Sequence, residues 1–61
     1  MDENARQFLA DELIKRVKPK QMPKALKLYR RTGVVTDYDV KELQDEVVRK
    51  TGAVDWKTLT Q

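Results

Sequence analysis

The stretch KRVKPKQMPKALKLYRR, Lys15 to Arg31, carries two prolines and eight cationic side chains, and both features decide how the 61-residue chain is read. Pro19 lacks a backbone donor and pushes Lys18 out of the helical region, so a helix arriving from the N-terminal side must stop there. Pro23 suits the first turn of a new helix, where its missing N–H would be without a partner anyway. Two helix segments flanking a proline-bounded bend are therefore predicted, each feeding an apolar face into one small core.

Before the bend, Ala5, Leu9, Leu13 and Val17 recur every four residues with Ala10 and Ile14 beside them, the stripe of an amphipathic helix near 3–17. Asp2 or Asn4 can cap its start, and Lys15, Arg16 and Lys18 suit the negative end of its dipole. After the bend, Met22, Ala25, Leu26 and Tyr29 give the buried face of a helix near 23–32, with Lys24, Lys27 and Arg31 on the opposite face. Phe8 lies at least a quarter turn from the first stripe, and Leu28 lies among the cations of the second helix. Neither has an obvious place in the core.

Arg30-Arg31-Thr32-Gly33-Val34 and Arg49-Lys50-Thr51-Gly52-Ala53 resemble each other. Cations in the last turn, a glycine just past it and an apolar residue after that are the ingredients of a helix stop. Thr36, with Asp39 three positions on, reads as the cap of a third helix near 37–51. Val40, Leu43, Val47 and Thr51 line one face of it, with Gln44 and Val48 at the edge and Asp37, Glu42, Asp45 and Glu46 elsewhere. Asp55 caps a terminal turn that folds Trp56 and Leu59 over the open end of the core. The predicted fold is all-α: one domain over 1–61, a three-helix bundle with a short C-terminal helical turn and no strand.

The chain has no Cys, His or Ser. That removes disulfides, thiolate or imidazole metal sites and the usual nucleophile and base pairs. The adjacent carboxylates Asp2-Glu3, Asp11-Glu12 and Asp45-Glu46 diverge by about 100° on a helix and read as solvated faces. Asp37-Tyr38-Asp39 lacks the glycine and the terminal glutamate of a calcium loop, having Glu42 and Val48 at those positions. With only Gly33 and Gly52 there is no phosphate-cradling loop. The expectation is a non-enzyme with no cofactor, no metal and no small-molecule substrate. No apolar run approaches the ~20 residues of a membrane span, and the prolines interrupt any long amphipathic helix that could lie on a membrane. An intracellular, cytoplasmic protein is expected, and a core this small, burying only about 60% of the unfolded surface, makes self-association plausible.

Charge supplies the functional candidate. Residues 15–31 are formally +8 with no acid among them, whereas the whole chain is +3, so the remainder is −5. An array of lysines and arginines on one face can neutralise successive phosphates and release their counterions, giving affinity without sequence readout. Lys18, Lys20, Lys24, Lys27, Arg30 and Arg31 are the candidate contacts to a nucleic acid. The competing reading pairs these cations with acids of the first and third helices, leaving a solvated exterior. A third reading takes Phe8 and Leu28 as anchors of a protein interface, in a homodimer or on an acidic partner, since apolar residues bordered by cations are common in interfaces.

Three helices with Gly33-Val34-Val35-Thr36 between the second and third resemble, over roughly Pro23 to Thr51, the helix-turn-helix arrangement of DNA-binding domains. The resemblance implies that the later helix enters the major groove. Here that helix carries Asp37, Asp39, Glu42, Asp45 and Glu46 against Lys41, Arg49 and Lys50, a balance that phosphates repel. Helix 2 and the proline loop are thus the expected contacts, to backbone rather than to bases.

Overall fold

The computed structural model describes all residues, Met1–Gln61, and contains four helices and no strand. Helix α1 spans Glu3–Arg16; Asp2 caps it, its side chain accepting from the Ala5 N–H at 2.8 Å. Val17 and Lys18 are extended, as a following proline requires. The bend itself is a 3-10 turn over Pro19–Gln21, and α2 covers Met22–Arg31, starting one residue before Pro23.

Both glycine stops form. Beyond α2, Gly33 takes φ 83°, its N–H bonds to the Arg30 carbonyl at 3.2 Å, and the Val34 N–H reaches back to Tyr29 at 2.9 Å. This paired pattern closes the helix and sends the chain towards α3. Helix α3 spans Asp37–Thr51 behind a complete capping box: Thr36 Oγ1 accepts from the Asp39 N–H, and the Asp39 carboxylate accepts from the Thr36 N–H. At its end Gly52 takes φ 73°. Asp55 caps α4, Trp56–Thr60, by accepting from the Thr58 N–H at 2.7 Å.

The core joins Ala10 and Leu13 of α1, Met22 and Leu26 of α2, Val35 of the connection, and Leu43 and Val47 of α3. Leu9, Val17, Ala25, Tyr29, Val40, Trp56 and Leu59 pack partly buried against it, so α4 covers the core's open end. Each fully buried leucine contributes roughly 1.5–3 kcal/mol. Helices α1 and α3 form the main packing, and α4 returns against α3 and the 3-10 turn. No helix is long and apolar enough to cross a membrane.

Among the uncharged residues, three positions depart from the periodicity. Ile14 points partly outward, 37% exposed, because Ala10 and Leu13 set the buried direction of α1. Thr51 is exposed rather than lining the core, and its hydroxyl donates to the Val47 carbonyl at 2.8 Å. Val35, which no helical pattern covered, is buried in the core cluster with residues of α1, α2 and α3.

Candidate functional site

The two sides of the molecule handle charge differently. On the α1–α3 side, acids and bases are interleaved and matched. Arg6, on the core-facing side of α1, binds Glu46 at 3.2 Å and Glu42 at 3.1 Å across the helix interface. Glu46, only 2% exposed, also accepts from Arg49. The Arg49 hydrogen bond, followed by those from Arg6 and Gln7, holds the Glu46 carboxyl below its ordinary range despite burial. Asp39 is likewise depressed, first by the Thr36 backbone N–H and then by the Met1 ammonium at 2.9 Å, whose own pKa that contact raises. No buried polar side-chain atom lacks a partner.

The remaining acids are also engaged. Lys50 reaches Asp11 at 2.9 Å and Lys41 reaches Asp45 at 3.2 Å; Glu12 holds Arg16, and Glu3 holds Arg6. Asp37 binds Arg30 at 3.1 Å, and Asp2 and Asp55 cap helices. All ten acidic side chains thus have a partner. No group of carboxylates converges as a metal site would require.

Along the bend and α2 the picture reverses. Of the eight cations in 15–31, only Arg16 and Arg30 touch an acid; Lys15, Lys18, Lys20, Lys24, Lys27 and Arg31 form no ion pair. Outside this stretch Lys57 alone is unpaired. Helical spacing puts Lys24, Lys27 and Arg31 on one outward face of α2, and Lys18 and Lys20 are exposed at the 3-10 turn that leads into that helix. Of the candidate phosphate contacts, Arg30 stands apart: its guanidinium bridges α2 to the start of α3 through Asp37.

Leu28 is 52% exposed and Phe8 is 63% exposed. They occupy different settings. Leu28 sits one helical turn from Lys24 and three residues from Arg31, inside the basic face, whereas Phe8 is flanked on α1 by Asp11 and Glu12. Sequence reasoning missed the Arg6–Glu46–Arg49 cluster, because periodicity assigns charged residues to solvent. The available hint was Arg6 falling seven residues before Leu13, two turns along the same face.

Two grooves border the basic row. One, of about 250 Å³, lies between α2 and α3 over Leu26 and Val40, with Lys27 and the Arg30–Asp37 pair at its edge. The other, of about 460 Å³, lies where the C-terminal segment meets the 3-10 turn and is lined by Lys18, Pro19, Lys20, Gln21, Leu59 and Gln61. Comparison of the chain with protein-family models, curated proteins and solved structures finds no match.

Proposed function

We propose that this chain is a non-enzymatic regulatory or accessory protein that binds nucleic acid by its phosphate backbone. The contacts are Lys18, Lys20, Lys24, Lys27 and Arg31, with Lys15 and Arg30 at the margins. One observation carries the reading: every acid has a partner, while six of the eight cations in 15–31 have none. Internal neutralisation, the competing account of the same residues, would have tied those ends down.

From Lys24 to Arg31 the α2 axis climbs about 10 Å at ~1.5 Å per residue, the rise of about three nucleotides at ~3.4 Å each. Lys18 and Lys20 extend the row beyond the helix. Five phosphate contacts give an expected slope of log K against log salt of about −4.5 on duplex DNA and about −3.5 on a single strand. Fluorescence anisotropy with labelled oligonucleotides over a salt series tests this. Undetectable binding at low ionic strength, or binding indifferent to salt, eliminates the reading.

Leu28 supports a second reading, in which the basic face with its exposed leucine docks on an acidic protein surface or on a second copy of the chain. Sedimentation then gives a mass above 7.2 kDa, and Leu28→Asp restores the monomer; a dimer that Phe8→Asp dissolves instead would use the α1 surface. A monomer at high micromolar concentration removes the homodimer.

A further inference from the structure

The groove beside the 3-10 turn has a composition that phosphate binding alone does not use. Its lining offers an aliphatic surface from the Pro19 ring and Leu59, two primary amides from Gln21 and Gln61, and the unpaired Lys18 and Lys20; no Asp or Glu side chain contributes. A flat apolar body with hydrogen-bonding edges, joined to an anion, matches each of these features. The aliphatic surface takes the face of the body, an amide supplies both donors and an acceptor to its edge, and the ammonium groups take the anion. A nucleobase on its phosphate is that object.

At about 460 Å³ the groove falls within the ~300–1,000 Å³ typical of small-ligand sites. The side chain of Gln21 is free for such a role, since it makes no capping bond to α2 although it holds the N-cap position. Lys18 and Lys20 line the groove, and the 3-10 turn runs directly into α2, so a strand held by Lys24, Lys27 and Arg31 need only continue towards the start of that helix to meet the opening. Bases of a duplex are stacked inside and cannot enter; only an unpaired base can.

Resting on the nucleic-acid reading above, we propose that the groove formed by Pro19, Gln21 and Leu59 is a nucleobase subsite that makes the basic row prefer single-stranded over duplex nucleic acid. The base lies against Pro19 and Leu59, its edge meets the Gln21 amide, and Lys18 and Lys20 hold the flanking phosphates. Recognition is base-tolerant, because one amide and an aliphatic surface accept any base by its face.

The test compares three probes on the full chain by anisotropy at one salt concentration: an oligothymidylate of about 12 nucleotides, within the ~4–16-nucleotide footprints of single-strand binders, an abasic strand with the same number of phosphates, and a duplex of that length. The base-bearing strand is expected to bind roughly tenfold tighter than the abasic strand and tighter than the duplex. Gln21→Ala, an exposed change outside the core, brings the base-bearing and abasic strands to within about threefold of each other without moving the abasic affinity. Leu59→Ala, confirmed folded by circular dichroism, does the same. Free thymidine monophosphate as competitor separates a strand-borne base from a mononucleotide site: displacement only at millimolar concentration fits a strand subsite, and displacement at micromolar concentration overturns it. Equal binding of base-bearing and abasic strands with a steep salt slope overturns the subsite and leaves the backbone reading standing. Tighter duplex binding also overturns the subsite, and failure of every probe to bind at low salt overturns both readings.

Discussion

Helices α2 and α3 adjoin across the Gly33–Thr36 connection yet dispose of their charges in opposite ways. Helix α3 carries acids and bases at i,i+3 and i,i+4 spacing, so Glu46 meets Arg49 and Asp45 meets Lys41 within the helix, and α1 supplies Arg6 for Glu42 and Glu46. Helix α2 contains no acid, and only Arg30 finds one, by reaching to Asp37. The difference teaches that net charge is a poor guide to this molecule. The +3 of the whole chain is a balance between one side that is closed electrostatically and another that is left open.

The largest expected effect breaks the open side alone. Lys24→Glu combined with Lys27→Glu removes two cations and adds two repulsive charges on an exposed face; nucleic-acid affinity falls roughly a hundredfold and the salt slope drops by about one for each cation removed. Urea unfolding of the same variant stays within ~0.5 kcal/mol of the parent, because neither side chain packs or pairs. A loss of binding accompanied by unfolding would mean that the row serves the fold.

Next in size is the reverse experiment. Arg6→Ala strips Glu46 and Glu42 of their interhelical partner and is expected to lower stability by about 1–2 kcal/mol with binding unchanged. The figure sits below the ~3–5 kcal/mol of a fully buried pair because Arg49 stays on Glu46 and Arg6 is itself 19% exposed. Urea denaturation gives the first quantity and anisotropy the second.

Acid separates the two sides again, by a smaller amount. Asp39 and Glu46 have carboxyl pKa values depressed in the fold, so their contribution to stability is complete above the ordinary carboxyl range and drains away as pH falls through the depressed values. The Met1 ammonium, raised by Asp39, has the opposite sign: its contribution is present below its ordinary value and lost as pH rises through the raised one. The urea midpoint therefore declines towards low pH, and Glu46→Gln flattens the decline. Neither carboxylate belongs to the basic row, so Glu46→Gln is expected to leave the salt slope of binding unchanged.

How far these features could be read beforehand follows from which interactions are local. Caps and stops are local, and Asp2, Thr36 with Asp39, Asp55, Gly33 and Gly52 all act as their sequence context indicates. The helical faces built on Leu13, Leu26 and Leu43 follow from spacing in the same way. Burial of a charge depends on a partner arriving from another element, which no single-helix pattern contains; hence Arg6 on the core side of α1 and Glu46 beneath it were not legible. Val35 escaped notice for a related reason, being placed by the connection rather than by a periodic element. Of the basic row, composition revealed the excess of cations but not which remain free: Glu12 to Arg16 is a visible i,i+4 pair, whereas Arg30 to Asp37 forms only once α2 and α3 are set by the turn.

The smallest expected difference is also the most discriminating, because it holds net charge fixed. Lys24→Ala and Lys41→Ala each lower the formal charge of the chain by one. Lys41 is an exposed partner of Asp45 on the closed side, so its loss costs ~0.3–0.5 kcal/mol of stability at most and exposes one unpaired carboxylate beyond the basic row. Asp45 belongs to α3, outside the basic row, and its exposed charge is weakened by salt with a Debye length of ~8 Å at physiological strength. Lys24→Ala should therefore weaken binding several-fold and reduce the salt slope by about one, while Lys41→Ala leaves both within error. Equal weakening by the two changes would show that binding follows total charge, and the ordered row on α2 would then lose its claim to be a site.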